Sequence, residues 1–147
     1  MRVSLVLAVL ALTACSGVNS QTNSYATLAE AQQAGAIAHG WIPTGLPATA
    51  HDLREGHVPG SNARWGIFEY PAADEKTVQA LLEPSELAVN GQECRVPSRI
   101  EWWPLMLRGP LDADRLSTTG VRVYRGRTGD LLFAINWRQG RAYYCTL

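Results

Sequence analysis

Residues 121–125, 131–137 and 141–146 restrict the possible folds of this chain more than any other part of it. Each is a short run of strand-forming residues, and the segments between them, 126–130 and 138–140, have the Gly and polar residues that suit hairpin loops. In the middle run Leu131, Phe133, Ile135 and Trp137 alternate onto one face. Three such runs in succession predict an antiparallel meander, and its apolar face must be buried against other elements.

Those elements lie upstream. Thr27-Leu28-Ala29-Glu30 has the spacing of a capping box and opens an Ala-rich stretch that predicts a helix to His39, with Gly40 as its stop. Residues 52–58 and 64–70 flank the turn cluster Pro59-Gly60-Ser61-Asn62 and predict a hairpin. In its second strand Trp65 and Ile67 face one way, Phe68 and Tyr70 the other. Residues 74–82 have acids first and Val78, Leu81 and Leu82 in a stripe, a second short helix that Pro84 ends. A strand near 99–103 is expected within otherwise irregular sequence from 85 to 110. The fold class is therefore α+β: a single domain, mainly antiparallel sheet, with a C-terminal three-stranded meander and one or two helices packed on it.

A chain of 147 residues, 46% hydrophobic and 18% charged, is sized and composed for one globular domain. Lys+Arg 13 balance Asp+Glu 13, which argues against nucleic acid as a partner because phosphate neutralisation needs an excess of cations. The balance is uneven along the chain. Residues 16–107 hold 5 basic and 10 acidic groups, and residues 108–147 hold 7 and 3. The simplest reading is that the two halves neutralise one another. A basic patch built from Arg122, Arg125, Arg127, Arg138 and Arg141 is the sharper one, but it requires loops at opposite ends of a strand to converge.

The first residues, MRVSLVLAVLALTACSG, have a cationic start and an apolar run of about ten residues, half of what a membrane-spanning helix needs. The run fits a secretory signal. Its end, Leu12-Thr13-Ala14-Cys15, resembles the lipobox of bacterial lipoproteins, which is cut by signal peptidase II. The resemblance implies that residues 1–14 are removed and that Cys15 is acylated and becomes the first residue of the mature chain. It further implies that the partner of Cys15 is the lipid bilayer, where several acyl chains hold stably. Ser16 follows the cysteine, not the Asp that retains such proteins at the inner membrane. The implied location is the outer membrane facing the periplasm in a Gram-negative envelope, or the outer face of the cytoplasmic membrane in a Gram-positive one. Residues 15–24 then read as lipidated Cys and polar tether, and 25–147 as the folded domain.

With Cys15 assigned to lipid, two thiols remain in an oxidising compartment, and Cys94 and Cys145 most simply pair with each other. Chemistry is harder to find. There is no G-x-S-x-G elbow, no H-E-x-x-H, no phosphate-cradling loop and no dinucleotide fingerprint, so no cofactor is expected. On a regular strand His51, Leu53, Glu55 and His57 would share a face, and His51, Glu55 and His57 are a possible metal-ligand set. Leu53 among them and Arg54 beside them are equally what a half-exposed strand contains, and metal binding is not expected. Trp102-Trp103-Pro104, with Trp41 and Tyr124, could form a stacking platform for glycan or a dock for protein, although a domain with five Trp and two Phe must also use Trp in its core. Trp102, Trp103 and Arg122 are the binding candidates. The expected function is that of a membrane-anchored envelope lipoprotein, non-catalytic, binding a protein or envelope component. An immunity or inhibitor protein against an envelope-acting toxin or hydrolase, and an envelope hydrolase with an acidic or metal-dependent site, are the alternatives.

Overall fold

Residues 131–136 alternate apolar side chains to both sides, and both sides are buried. They form an interior strand of a sheet covered on two faces. The computed structural model describes residues 19–147, so the signal-like segment and the lipobox-like tetrapeptide ending in Cys15 lie outside the described residues. The strands are β1 (Gln21–Thr27), β2 (His51–His57), β3 (Arg64–Glu69), β4 (Leu82–Glu86), β5 (Arg122–Gly126), β6 (Leu131–Asn136) and β7 (Arg141–Thr146). They form one seven-stranded sheet in the order β1-β2-β3-β7-β6-β5-β4, and every neighbouring pair is antiparallel. Two meanders, β1-β2-β3 and β5-β6-β7, thus meet along β3 and β7. The predicted hairpin and the C-terminal meander are both present.

Three short helices accompany the sheet among the described residues: α1 (Leu28–Gln33), α2 (Glu75–Gln79) and α3 (Ala113–Thr118). One face of the sheet carries Leu53, Phe68, Phe133 and Tyr144, and it packs against Leu28 and Ala31 of α1, Ile42 and Leu46 of the following turns, and Val78 of α2. The other face carries Trp65, Val123, Leu132 and Tyr143, and it packs against Val89, Leu107, Leu111 and Leu116 from the 87–120 segment. Cys94 and Cys145 belong to this second core and are joined as a disulfide with Cα atoms 5.5 Å apart. The bond ties the irregular segment to the last strand. No described helix is long and apolar enough to cross a membrane.

Four local expectations are corrected. The first helix stops at Gln33, not His39. Gly35 takes φ +79°, the Gly35 amide bonds Gln32 O and the Ala36 amide bonds Ala31 O, a Schellman stop in which Ala31 and Ala36 are both fully buried. The second helix gives way before Leu82, because Leu82 opens β4 and pairs with Gly126 on β5. No strand forms over 99–103. That stretch is a series of turns whose carbonyls are gathered by Arg108, and α3 arises in its place downstream, N-capped by Asp112, whose Oδ1 accepts from the Arg115 amide at 2.7 Å. Finally β1 begins at Gln21, so residues 21–24 belong to the sheet and not to a tether.

Candidate functional site

The local geometry of β2 decides where its polar side chains go. Asp52 sits at φ +49°, and the β2–β3 register shifts between His51 and Arg54. This bulge breaks the alternation that a regular strand would keep. Beyond it Leu53, Glu55 and His57 point to the first core, while His51 lies 3.9 Å from both Asp52 and Glu69 at the strand's start. His51, Glu55 and His57 therefore do not share a site, which corrects the regular-strand expectation. The donor atoms of His51, Asp52 and Glu69 do lie within 4.8 Å of one another. A guanidinium intrudes, however: Arg141 Nε and Nη2 both donate to Glu69 Oε1, the former at 2.9 Å, which raises the Arg141 pKa and leaves the group a poor cation cradle.

Around this ion pair lies a cleft of about 500 Å³. Its floor is the second-core face of the sheet where the 87–120 cover ends: Ser24 on β1, Asp52 and Arg54 on β2, Ile67 and Glu69 on β3, and Arg141 on β7. Trp102 forms the flank, half-buried and edge-on to Trp103 at 6.2 Å between centroids. Trp102 is on no helix or strand, so its position depends on Arg108. That side chain donates to the carbonyls of Ser98, Ile100 and Trp103, the first at 2.7 Å, and pins the loop.

The other two binding candidates do not join Trp102 in this cleft. Trp103 is a core residue, 2% exposed, donating through Nε1 to Leu107 O and packed edge-on against Tyr143. Arg122 alternates with Val123 of the second core, so it projects from the opposite face of the sheet, where it meets Glu86 at 3.4 Å. Trp41 and Tyr124 pack with the first core. The arginines are dispersed, and Arg122–Glu86 and Arg141–Glu69 each join the basic half of the chain to the acidic half.

A second constellation lies on the first-core face. Glu55 is fully buried, accepting from Asn23 Nδ2 at 2.6 Å and from His57 Nδ1 at 3.0 Å. The His57 ring lies flat on Trp41, 3.9 Å between centroids, and His39 also stacks on Trp41, at 4.6 Å. Tyr144 donates to Trp41 O at 2.9 Å, and burial, then the Glu55 charge, push the Tyr144 phenol well above its usual pKa. A cavity of about 300 Å³ lies beside His39, Trp41 and His57. Sequence reading missed the pairing of Trp41 with His57, because nothing local to the 39–41 turn announces which strand it will cover.

Residues 19–69, which run from β1 through β3, match the family model of the YbbD head domain. This stretch is similar to that domain. The match covers 51 of the 147 residues; it includes Asn23, His39, Trp41, Glu55 and His57 and the β1–β3 floor of the cleft, but neither Trp102 nor Arg141. No curated protein and no solved structure gives a significant match to the chain.

Proposed function

We propose that this chain is a lipid-anchored envelope protein whose folded domain is a non-catalytic binding module for a protein or other envelope component. The anchor is Cys15, on the outer membrane facing the periplasm in a Gram-negative cell or on the outer face of the cytoplasmic membrane in a Gram-positive one. One observation carries the reading: the domain's two ends are differently equipped. β1 begins at Gln21, six residues after Cys15, in the row Gln21–His57–Arg64. The cleft runs from mid-strand, in the row Ser24–Arg54–Ile67, to the far end, in the row Thr27–His51–Glu69–Arg141. The strands carry that last row about 20 Å from the Gln21 row. A tether at one end then presents the cleft away from the bilayer. The disulfide in the second core supports the same compartment, since such bonds persist outside the cytoplasm.

The test is the Cys15→Ala variant. Wild-type protein is expected in the membrane fraction and in the detergent phase on phase separation, and the variant in the aqueous phase. Partitioning of the variant like wild type would refute the anchor. Cross-linking of the wild type in its native envelope, from residues flanking the cleft, tests the binding role and is expected to trap an envelope component.

A further inference from the structure

We propose that the cleft bounded by Trp102, Asp52, Arg54, Glu69 and Arg141 is a saccharide-binding site, a proposal that rests on the binding-module reading and gives its ligand a chemical class. Three features of the cleft point the same way.

Charge is the first. Two carboxylates, Asp52 and Glu69, face two guanidinium groups, Arg54 and Arg141, so the lining has no excess of either sign to attract an ionic ligand. It does offer acceptors and fixed donors side by side. A sugar hydroxyl both gives and takes a hydrogen bond, and vicinal hydroxyls match the planar forks of carboxylate and guanidinium. The second feature is the aromatic flank. Trp102 lies against these polar groups, and a half-buried indole is a surface on which the apolar C–H face of a sugar ring can stack. Its loop is anchored by the three carbonyls that Arg108 gathers, so the platform is ordered before any ligand arrives.

The third feature is backbone strain. Asp52 holds φ +49°, the one left-handed non-glycine residue among those described, and it sits at the β2–β3 register shift and lines the cleft. Such conformations persist where the surroundings enforce them and concentrate at binding sites. The cleft volume of about 500 Å³ falls in the range of small-molecule sites. It is bordered by β1, an edge strand of the sheet, which leaves room for a chain longer than the cleft itself.

Full-length protein in a sugar-free detergent is titrated by calorimetry with three probes: a tetramer of N-acetylglucosamine, maltotetraose, and soluble glycan strands stripped of peptide. At least one is expected to bind at millimolar concentration or below. Trp102→Ala is expected to weaken that binding about tenfold, with Trp102→Phe retaining most of it. Asp52→Asn, at an exposed side chain, is expected to keep the wild-type circular dichroism spectrum and to weaken binding similarly, which covers the case in which Trp102→Ala misfolds. Binding of none of the probes overturns the saccharide assignment, as does binding that neither Trp102→Ala nor Asp52→Asn weakens. Binding of an Ala-rich stem peptide in their place, abolished by Trp102→Ala, also overturns it, in favour of a peptide site. These outcomes are separate from the anchored-module reading. Trapping of an envelope protein without sugar binding sinks the saccharide alone, and sugar binding by a chain that is not lipidated at Cys15 sinks the anchor alone.

Discussion

At the scale of single residues, two glycines set how closely aromatic rings approach the sheet. Gly56 lies opposite Trp65 in the β2–β3 register and Gly66 opposite Tyr144 in the β3–β7 register. A Cβ at either position would lie 2.3 Å from the facing ring. Both rings are part of the two cores, so neither can swing away. Gly56→Ala or Gly66→Ala is expected to cost about 2–3 kcal/mol in urea unfolding. Glu55 is a different case, a fully buried carboxylate whose partners are Asn23 and His57. Removing it in Glu55→Ala leaves the imidazole and the amide unpaired and a void behind, and about 3 kcal/mol of lost stability is expected. Tyr70 supplies a pH signature. Its hydroxyl is buried with no hydrogen-bond partner among the described residues, and burial, then the Glu75 charge, push its pKa up to about 12. The folded state holds this proton where the unfolded chain, at its ordinary value near 10, has released it. Stability is therefore full below about pH 10 and falls as pH rises toward 12, with Tyr144, whose phenol burial also pushes up, adding to the loss. Tyr70→Phe removes an unsatisfied hydroxyl and is expected to gain about 1 kcal/mol at neutral pH and to flatten the alkaline decline, both measured by thermal melts across pH.

At the scale of elements, local chemistry and tertiary reach divide the chain. Helix α1 starts where its capping box places it. The Thr27 hydroxyl accepts from the Glu30 amide at 3.2 Å and the Glu30 carboxylate accepts from Ala26 N at 2.9 Å. Its early stop was also within local reach, since Gly35 alone takes the left-handed φ there. An Ala-rich run hid it, because helix propensity sums favourably over residues whatever the cap does. The 98–108 loop is the opposite case. Two tryptophans beside Ile100 read as a strand, whereas the observed turns depend on a cation five to ten residues away gathering three carbonyls. Such hydrogen bonds to a charged group contribute about 2 kcal/mol together once desolvation is counted. Arg108→Ala should therefore lower stability by about that amount and speed amide exchange over 98–104 with β6 and β7 unchanged; unchanged protection in the loop would show that it holds its shape without Arg108.

At the scale of the whole molecule, the sheet is buried on both faces, and the two faces are sealed by unlike means. Helices and turns from the first half of the chain cover one. Largely irregular chain with a disulfide covers the other. Cys94 and Cys145 are 51 residues apart, and closing that loop is worth about 4 kcal/mol in the chain-entropy view. Reduction, or Cys94→Ala with Cys145→Ala, is expected to lower the urea midpoint accordingly and to loosen the 87–111 cover first. Loss of β1–β2 protection before the cover would show that the bond does not hold that layer.

Much of this was legible from residue order alone. The α+β class, the hairpin, the C-terminal meander and the two-sided patterning of β3 rest on period-two alternation and turn chemistry, and these act between near neighbours. What lay beyond reading was every arrangement that depends on which strands meet. Joining β3 to β7 brings Glu69 to Arg141 across 72 residues, and the Asp52 bulge sends His51 one way and Glu55 and His57 another. Trp41 reaches His57, and Trp102 reaches a cleft built from four strands, only because the folded sheet supplies a surface that no stretch of sequence contains. Alternation states which side chains turn inward; it carries no information about what they will find there, since that is fixed by chain closure over distances where local propensity has no force.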